Sequence, residues 1–258
     1  MSSPVITLGT DRNLANAIDL MQRQEISRLV STKNGRVVGV LTEKDIARVL
    51  GSVHAYRLPL RRLHVPSVMS VDPISVAPDV VARRAVELML DHNVSGLPVL
   101  EEDRLVGILT KMDFAKICVK YDDVYVGQVM QASPTTVSPA DRVIHAMKLL
   151  LEGDLLALPV IERGSLVGIV TIRDVAMNLA AFQEVVPDRY KSERVRNLLV
   201  SDIMSQPPMT THTNTMLSQT AKLMLGKRFS SLPVENLDGE LVGLITKTEL
   251  TGVARERL

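Results

Sequence analysis

Apolar residues in this chain switch between helical and extended spacing, and the switches come in the same order four times. Ala82, Ala85, Val86 and Met89 lie at the i, i+3, i+4, i+7 spacing of one buried stripe, which predicts a helix over Asp79 to His92. The stripe recurs as Leu14, Ala17, Ile18, Met21; as Val143, Ala146, Met147, Leu150; and as Leu217, Thr220, Ala221, Met224. An extended, proline-punctuated lead-in precedes the helix, VMSVDPISVAP at 68–78. Two short strands follow it, GLPVL at 96–100 and RLVGILT at 104–110, separated by a polar turn. The equivalent turns carry Asn34-Gly35, Arg163-Gly164 and Asp238-Gly239, residues that tolerate the positive φ angles of tight hairpins. A second helix opens directly after the second strand. The unit is βαββα, and it occurs four times.

One string marks each copy: GVLTEKD at 39–45, GILTKMD at 107–113, GIVTIRD at 168–174 and GLITKTE at 243–249. Their threonines, Thr42, Thr110, Thr171 and Thr246, are 68, 61 and 75 residues apart. Such uneven intervals indicate tandem units with variable linkers, not a stacked solenoid. The units span 1–50, 68–118, 129–178 and 203–255. Met1, Met69, Met130 and Met204 hold one register in the lead-ins and read as adaptable core filler. The connectors are 51–67, 119–128 and roughly 179–202; the first carries Arg57, Arg61, Arg62 and His64, a solvated linker or a contact for an anion or partner.

A threonine where a strand turns into a helix places its hydroxyl beside unpaired backbone N–H groups, at the end carrying partial positive charge, which suits a phosphate. An aspartate one turn on has two acceptor oxygens, matched to two ribose hydroxyls. The same T-x-x-[D/E] spacing is also a capping box, which needs no ligand. Glu249 has the reach that favours the box, whereas Asp45, Asp113 and Asp174 suit ribose. Lys44, Lys111, Arg173 and Lys247 lie inside the motifs and either add charge there or face solvent.

Composition narrows the function classes. With 258 residues, 46% of them hydrophobic, the chain fills a core without disulfides or metal. A net charge of +1 gives no general attraction to nucleic acid or anionic lipid, and 3% aromatics leave few stacking platforms. The lone cysteine, Cys118, reads as a small buried apolar residue and suits a reducing compartment. No apolar run is long enough to span a membrane and the start lacks signal-peptide regions, so the chain reads as cytoplasmic. The five histidines show no metal-ligand spacing. There is no Walker loop and no G-x-S-x-G, so the expectation is a protein without catalysis of its own.

Four βαββα units, each with an LPV-like first strand and a G-h-h-T-x-x-[D/E] strand-to-helix junction (h, aliphatic), resemble the CBS (cystathionine β-synthase) domain family. The resemblance implies an α/β (α+β) fold in which repeats pair, sheet against sheet, into two pseudo-twofold modules, 1–120 and 125–258. Four repeats are similar to the arrangement in the gamma subunit of AMP-activated protein kinase, where two modules form a disc. It also implies clefts that bind AMP, ADP or ATP, with S-adenosylmethionine less favoured. Each cleft would join the T-x-x-D of one repeat to the lead-in and strand start of its partner. Thr110, Lys111 and Asp113 would then face Thr7, Ile26, Ser27 and Arg28. Thr42 and Asp45 would face Ser75, Val94, Ser95 and Gly96. Thr171, Arg173 and Asp174 would face Thr210, Phe229, Ser230 and Ser231, and Thr246 and Glu249 would face Thr136, Leu156 and Ala157. Arg28 makes the Asp113 cleft the first choice, the Asp174 cleft the second and the Asp45 cleft the third, because a desolvated phosphate needs a fixed cation.

The function expected on these grounds is an energy-sensing regulator controlling a partner protein, with a homodimer compatible. The alternatives are a ligand-free assembly module and a nucleic-acid-associated regulator using the basic 57–64 cluster.

Overall fold

The inward stripes become the packing faces of the helices. The computed structural model describes residues 1–52 and 58–258, so Arg57 lies outside the described residues. Repeat 1 comprises β1 (Thr7–Gly9), α1 (Leu14–Arg23), β2 (Arg28–Lys33), β3 (Arg36–Thr42) and α2 (Glu43–Leu50). Repeat 2 comprises β4 (Ser70–Val71), α3 (Ala82–Asp91), β5 (Gly96–Glu101), β6 (Arg104–Thr110) and α4 (Lys111–Cys118). After a short helix α5 (Val126–Val129), repeat 3 has β7 (Gln131–Ala132), α6 (Val143–Glu152), β8 (Ala157–Glu162), β9 (Ser165–Thr171) and α7 (Ile172–Val185). Helix α8 (Asp188–Arg194) leads to β10 (Thr211–His212), α9 (Leu217–Lys227), β11 (Ser231–Glu235), β12 (Leu241–Thr246) and α10 (Lys247–Arg257) of repeat 4.

Three stripes are buried throughout, whereas Ala82 of the fourth is exposed. The helix expected from Asp79 starts at Ala82 because Pro78 and Asp79 form a turn, closed by Val80 N–H donating to Ala77 O at 3.2 Å. The last connector also differs from expectation: α7 continues to Val185, absorbing its first residues. Each first helix is followed by a non-glycine residue in the left-handed region, Glu25, Asn93, Asp154 or Arg228, with φ between 50° and 57°. Without glycine, nothing in the pattern announces this turn.

The lead-ins cross between repeats. β4 of repeat 2 pairs antiparallel with β3 of repeat 1, and Ser2 returns the exchange by bridging to Ile108 on β6. β7 of repeat 3 pairs with β12, and Ser205 returns to Ile169 on β9. The lead-in methionines are therefore not general filler. Met1, Met69, Met130 and Met204 lie over Gly107, Gly39, Gly243 and Gly168, the glycines that open the four marker strings. A Cβ at Gly107 or Gly39 would meet a methionine sulfur at 2.5 Å, and at Gly168 at 2.7 Å. Those glycines make room for the paired repeat's methionine.

Between the first two sheets, Val30, Val40 and Ile108 form a small apolar cluster. The helices divide differently. Helices of repeats 1 and 3 share one core, around Met21, Leu50, Leu150 and Leu179, and helices of repeats 2 and 4 share another, around Met89, Phe114, Met224 and Leu250. Sheet contacts thus join 1 to 2 and 3 to 4, while helix contacts join 1 to 3 and 2 to 4. Cys118 is buried in the second junction, its thiol donating to Leu250 O at 3.2 Å and pushed up to about 11 by burial. It reads as a core residue in the structure as in the sequence.

Candidate functional site

The starts of α2, α4, α7 and α10 bring charged residues from all four repeats together. Thr42, Thr110, Thr171 and Thr246 are their N-caps, in extended backbone with φ from −112° to −130°. Each threonine amide donates to the acid three residues on, at 2.9, 2.9, 2.8 and 2.8 Å. Each hydroxyl donates to the same oxygen, at 2.6, 3.0, 2.7 and 2.5 Å. Glu249 was expected to cap better than the aspartates, and the structure corrects this. The extended N-cap aims its amide and hydroxyl at one point, which an aspartate also reaches. The next amide, of Glu43, Lys111, Ile172 or Lys247, donates to its own repeat's strand-leading carbonyl, on Ser27, Ser95, Leu156 or Ser230, at 3.0 to 3.3 Å. Two amides at every helix start are therefore already satisfied within the repeat.

The second carboxylate oxygen distinguishes the clefts. Asp45 Oδ1 accepts from Arg48 at 3.1 Å and Asp113 Oδ1 from Lys116 at 2.8 Å. Asp174 Oδ1 has no partner among the described residues, because Met177 stands where repeats 1 and 2 carry the cation. Burial raises the Asp174 carboxyl against the opposing hydrogen bonds from Thr171. Burial also pushes Asp113 upward, but hydrogen bonds from Lys116 and Thr110 outweigh it and leave the carboxyl below its ordinary value.

Arg28 does not stand open to the Asp113 cleft. Its Nη1 donates to Ser95 O at 2.8 Å and its Nη2 to Ser95 Oγ at 2.9 Å and Ser27 Oγ at 3.3 Å. Gly96 permits this, since a Cβ there would lie 2.6 Å from Nη1. The expected phosphate-holding guanidinium thus ties the strand starts of repeats 1 and 2 together, and only its buried Nε lacks a partner. Desolvation lowers the Arg28 guanidinium, while Glu43 and Asp113 counteract it.

Around it lies a cluster whose importance the sequence did not reveal. Glu43, 8% exposed at its side chain, accepts from Arg173 at 2.7 Å across the junction of repeats 1 and 3. Lys111 Nζ donates to Thr248 Oγ1 at 3.2 Å across the junction of repeats 2 and 4. Lys247, 8% exposed, has neither a side-chain hydrogen bond nor an ion pair among the described residues. Desolvation, then repulsion from Arg28, pulls its ammonium down to about 7, against the attraction of Glu43. Burial lowers Lys111 as well and raises Glu43. Lys44 is half-buried and paired with Asp154 of repeat 3.

The CBS domain family matches the chain at residues 1–52, 65–120, 126–181 and 200–256. This is a CBS-domain protein. It is similar to the uncharacterized protein MJ1225 of Methanocaldococcus jannaschii, 23% identical over 95% of this chain and 94% of that one. The crystal structure of MJ1225, described as a candidate archaeal homologue of the AMP-activated kinase gamma subunit, superposes with a TM-score of 0.87 at 20% identity, covering 98% and 97% of the chains. An uncharacterized conserved protein of Pyrococcus horikoshii gives 0.65 at 23% identity and the same coverage. Inosine-5'-monophosphate dehydrogenase of Korarchaeum cryptofilum is 30% identical over 70% of this chain but only a third, 33%, of its own. These structural likenesses establish the CBS fold.

Within that fold the other candidate residues divide. Thr7, Ser75 and Thr136 are exposed on the lead-ins. The Thr210 hydroxyl donates to Glu235 at 2.8 Å. Ile26, Val94 and Phe229, expected at clefts, pack on the helical cores. Ser231 is buried with its hydroxyl unpartnered, at the position equivalent to Arg28. Among the described residues no group of three His, Cys, Asp or Glu side chains is placed to hold a metal. No described helix is long and apolar enough to cross a membrane. Arg61, Arg62 and His64 are exposed on a segment pinned to α1, where Leu14 N–H donates to Leu63 O at 2.7 Å.

Proposed function

We propose that this CBS protein is a non-catalytic, cytoplasmic regulator that binds phosphate-bearing adenosine ligands, AMP, ADP or ATP, between paired repeats and acts through a partner protein. The observation that carries the reading is Asp174: one oxygen completes the helix cap while the other remains unclaimed on a largely buried carboxylate beside Arg173. Such an oxygen is suited to ribose hydroxyls. This ranks the Asp174 cleft above the Asp113 cleft, where Lys116 and Arg28 are already engaged. S-adenosylmethionine, with a sulfonium cation, suits the surrounding positive charge less well. Ligand occupancy shifts partner contacts only to the extent that it favours one conformation.

The rival reading is an assembly module with empty clefts, favoured by all four threonine–acid pairs acting as helix caps. Thermal melting with AMP, ADP, ATP and S-adenosylmethionine separates the two, since a ligand at 100 times its Kd stabilises by about 2.7 kcal/mol. No shift with any of them, and no heat in calorimetry, would leave the assembly module. Asp174→Asn keeps the acceptor for the cap and should weaken nucleotide binding at least tenfold, on the order of 1.4 kcal/mol. Unchanged affinity would assign the ligand to another cleft.

A further inference from the structure

The first helices of repeats 1, 3 and 4 each receive a connector in the same way. The N–H groups of Leu14, Val143 and Leu217 donate to the connector carbonyls of Leu63, Leu198 and Val124, at 2.7, 2.9 and 2.8 Å. The side chains at equivalent positions of these junctions differ. In repeat 4, connector Asp122 accepts a hydrogen bond from Ser218 on α9, so the junction closes on itself. In repeat 1 the equivalent positions hold Arg61 and Ala15, with Asp19 one turn on and paired with Arg23 at 2.6 Å. In repeat 3 they hold Arg196, Ile144 and Lys148, and a groove of about 340 Å³ opens there, lined also by Arg142 and His145.

The acids nearest this groove in sequence are engaged with backbone. Asp141 accepts from Ser138 N–H at 2.7 Å and Asp202 from Leu199 N–H at 2.8 Å. Arg142 donates to Asn197 O at 3.1 Å, which fastens α6 to the connector without neutralising the guanidinium. Lys148 has Glu152 at 3.9 Å, both largely exposed, whereas Arg142 and Arg196 have no acid partner among the described residues. Ile144 is the half-buried apolar side chain of the lining, and no Phe, Tyr or Trp ring takes part.

We propose that this groove docks an acidic segment of a partner protein, with carboxylates against Arg142, Lys148 and Arg196 and one aliphatic side chain on Ile144. Planar guanidiniums hold carboxylates through paired N–H donors, and an apolar centre with a charged rim is the layout of a protein interface. A nucleic-acid strand suits the groove less, because no stacking ring lines it and a chain of net charge +1 offers few cations to successive phosphates. The proposal rests on the partner half of the function given above and does not depend on a nucleotide. The inward stripe of α6, Val143, Ala146, Met147 and Leu150, belongs to the core shared by repeats 1 and 3. A segment held in the groove therefore touches a helix that joins the two modules.

The test is fluorescence anisotropy on the full chain at low salt, with a labelled peptide of Asp and Glu around one central Leu. Binding should saturate, and should weaken steeply as salt is added. Arg196→Glu and Lys148→Glu should each weaken it on the order of tenfold, whereas Arg61→Glu, at the equivalent place in repeat 1, should leave it within about twofold. All three side chains are exposed, so the variants should melt with the parent. Replacing the peptide's Leu by Ser should weaken binding about threefold or more. Absence of saturable binding, or an equal loss in Arg61→Glu, overturns the proposal. A single-stranded oligonucleotide of equal charge that binds more tightly, and is lost in the same two variants, overturns it in favour of nucleic acid. If the peptide binds and adenine nucleotides do not, only the ligand half of the function falls; if nucleotides bind and the peptide does not, only the groove falls.

Discussion

The junction of repeats 1 and 3 and that of repeats 2 and 4 have the same construction. In each, second helices pack side by side, and the first or second helical residue of one reaches the other. In the first junction the reaching pair is Glu43 and Arg173, one acid and one base at 2.7 Å. In the second it is Lys111 and Thr248 at 3.2 Å, with Lys247 unpaired close by. The backbone is thus free to repeat while the charge is not: one junction closes its own electrostatics, and the other leaves a surplus of cation. The first serves to hold the modules together.

The largest effect should come from Glu43→Gln. It removes the acid facing Arg173, Arg28 and Lys247 and should cost about 3 kcal/mol in urea unfolding at pH 7. Adding Lys247→Met to it should recover part of that loss, because the stranded cation goes too. A double mutant no more stable than the single would show that the junctions are electrically independent.

Lys247→Met alone should stabilise the ligand-free protein by about 1 to 3 kcal/mol at pH 7, since a well-packed apolar side chain replaces an unpaired buried cation. The same lysine sets the sign of a pH dependence. Its folded value, about 7, lies below the unfolded value of about 10.4, so between them the unfolded chain binds more protons and stability rises with pH. The slope should not exceed about 1.4 kcal/mol per pH unit. Cys118, raised to about 11, acts oppositely above about pH 9, so the rise should be cleanest between pH 7 and 9. Chemical denaturation across that range should show the rise in the parent and a shallower one in Lys247→Met, where Lys111, also lowered by burial, still contributes.

Smaller effects compare the caps. Thr171→Ala and Thr246→Ala should each cost about 1 kcal/mol, aspartate and glutamate capping alike. A markedly larger loss in one would mean that its threonine does more than cap. The smallest effect is expected for Lys116→Ala, which breaks a largely exposed ion pair worth about 0.5 kcal/mol or less and leaves only the Met1 ammonium, 3.6 Å away, at Asp113 Oδ1. If Asp174 leads because its second oxygen is unclaimed, this variant should strengthen nucleotide binding at the Asp113 cleft, measurable by stoichiometry.

Much of the site was legible because its parts are local. The threonine caps follow from a spacing of three residues. The aspartates' second oxygens were also within reach, since the residue at i+3 is a cation, Arg48 or Lys116, in the first two repeats and the uncharged Met177 in the third. Lys247 was not legible. Lys44 and Lys247 lie within the same kind of string, yet one is half-buried against Asp154 and the other is buried without a partner. Arg28 was correctly singled out as the unusual residue at its strand position, but its direction depended on the absence of a side chain at Gly96, 68 residues away.

By itself, the sequence determined four βαββα units, their inward faces, their turns and their caps, because each depends on neighbours within about one helical turn or one hairpin. Tertiary structure alone decided which repeat meets which, by sheet or by helix. It decided that the lead-in methionines cover the glycines of the paired repeat, and that charges from four repeats share one low-dielectric centre. Burial and Coulomb energy depend on distances between chain segments far apart in sequence, so four similar strings acquire four different electrostatic fates.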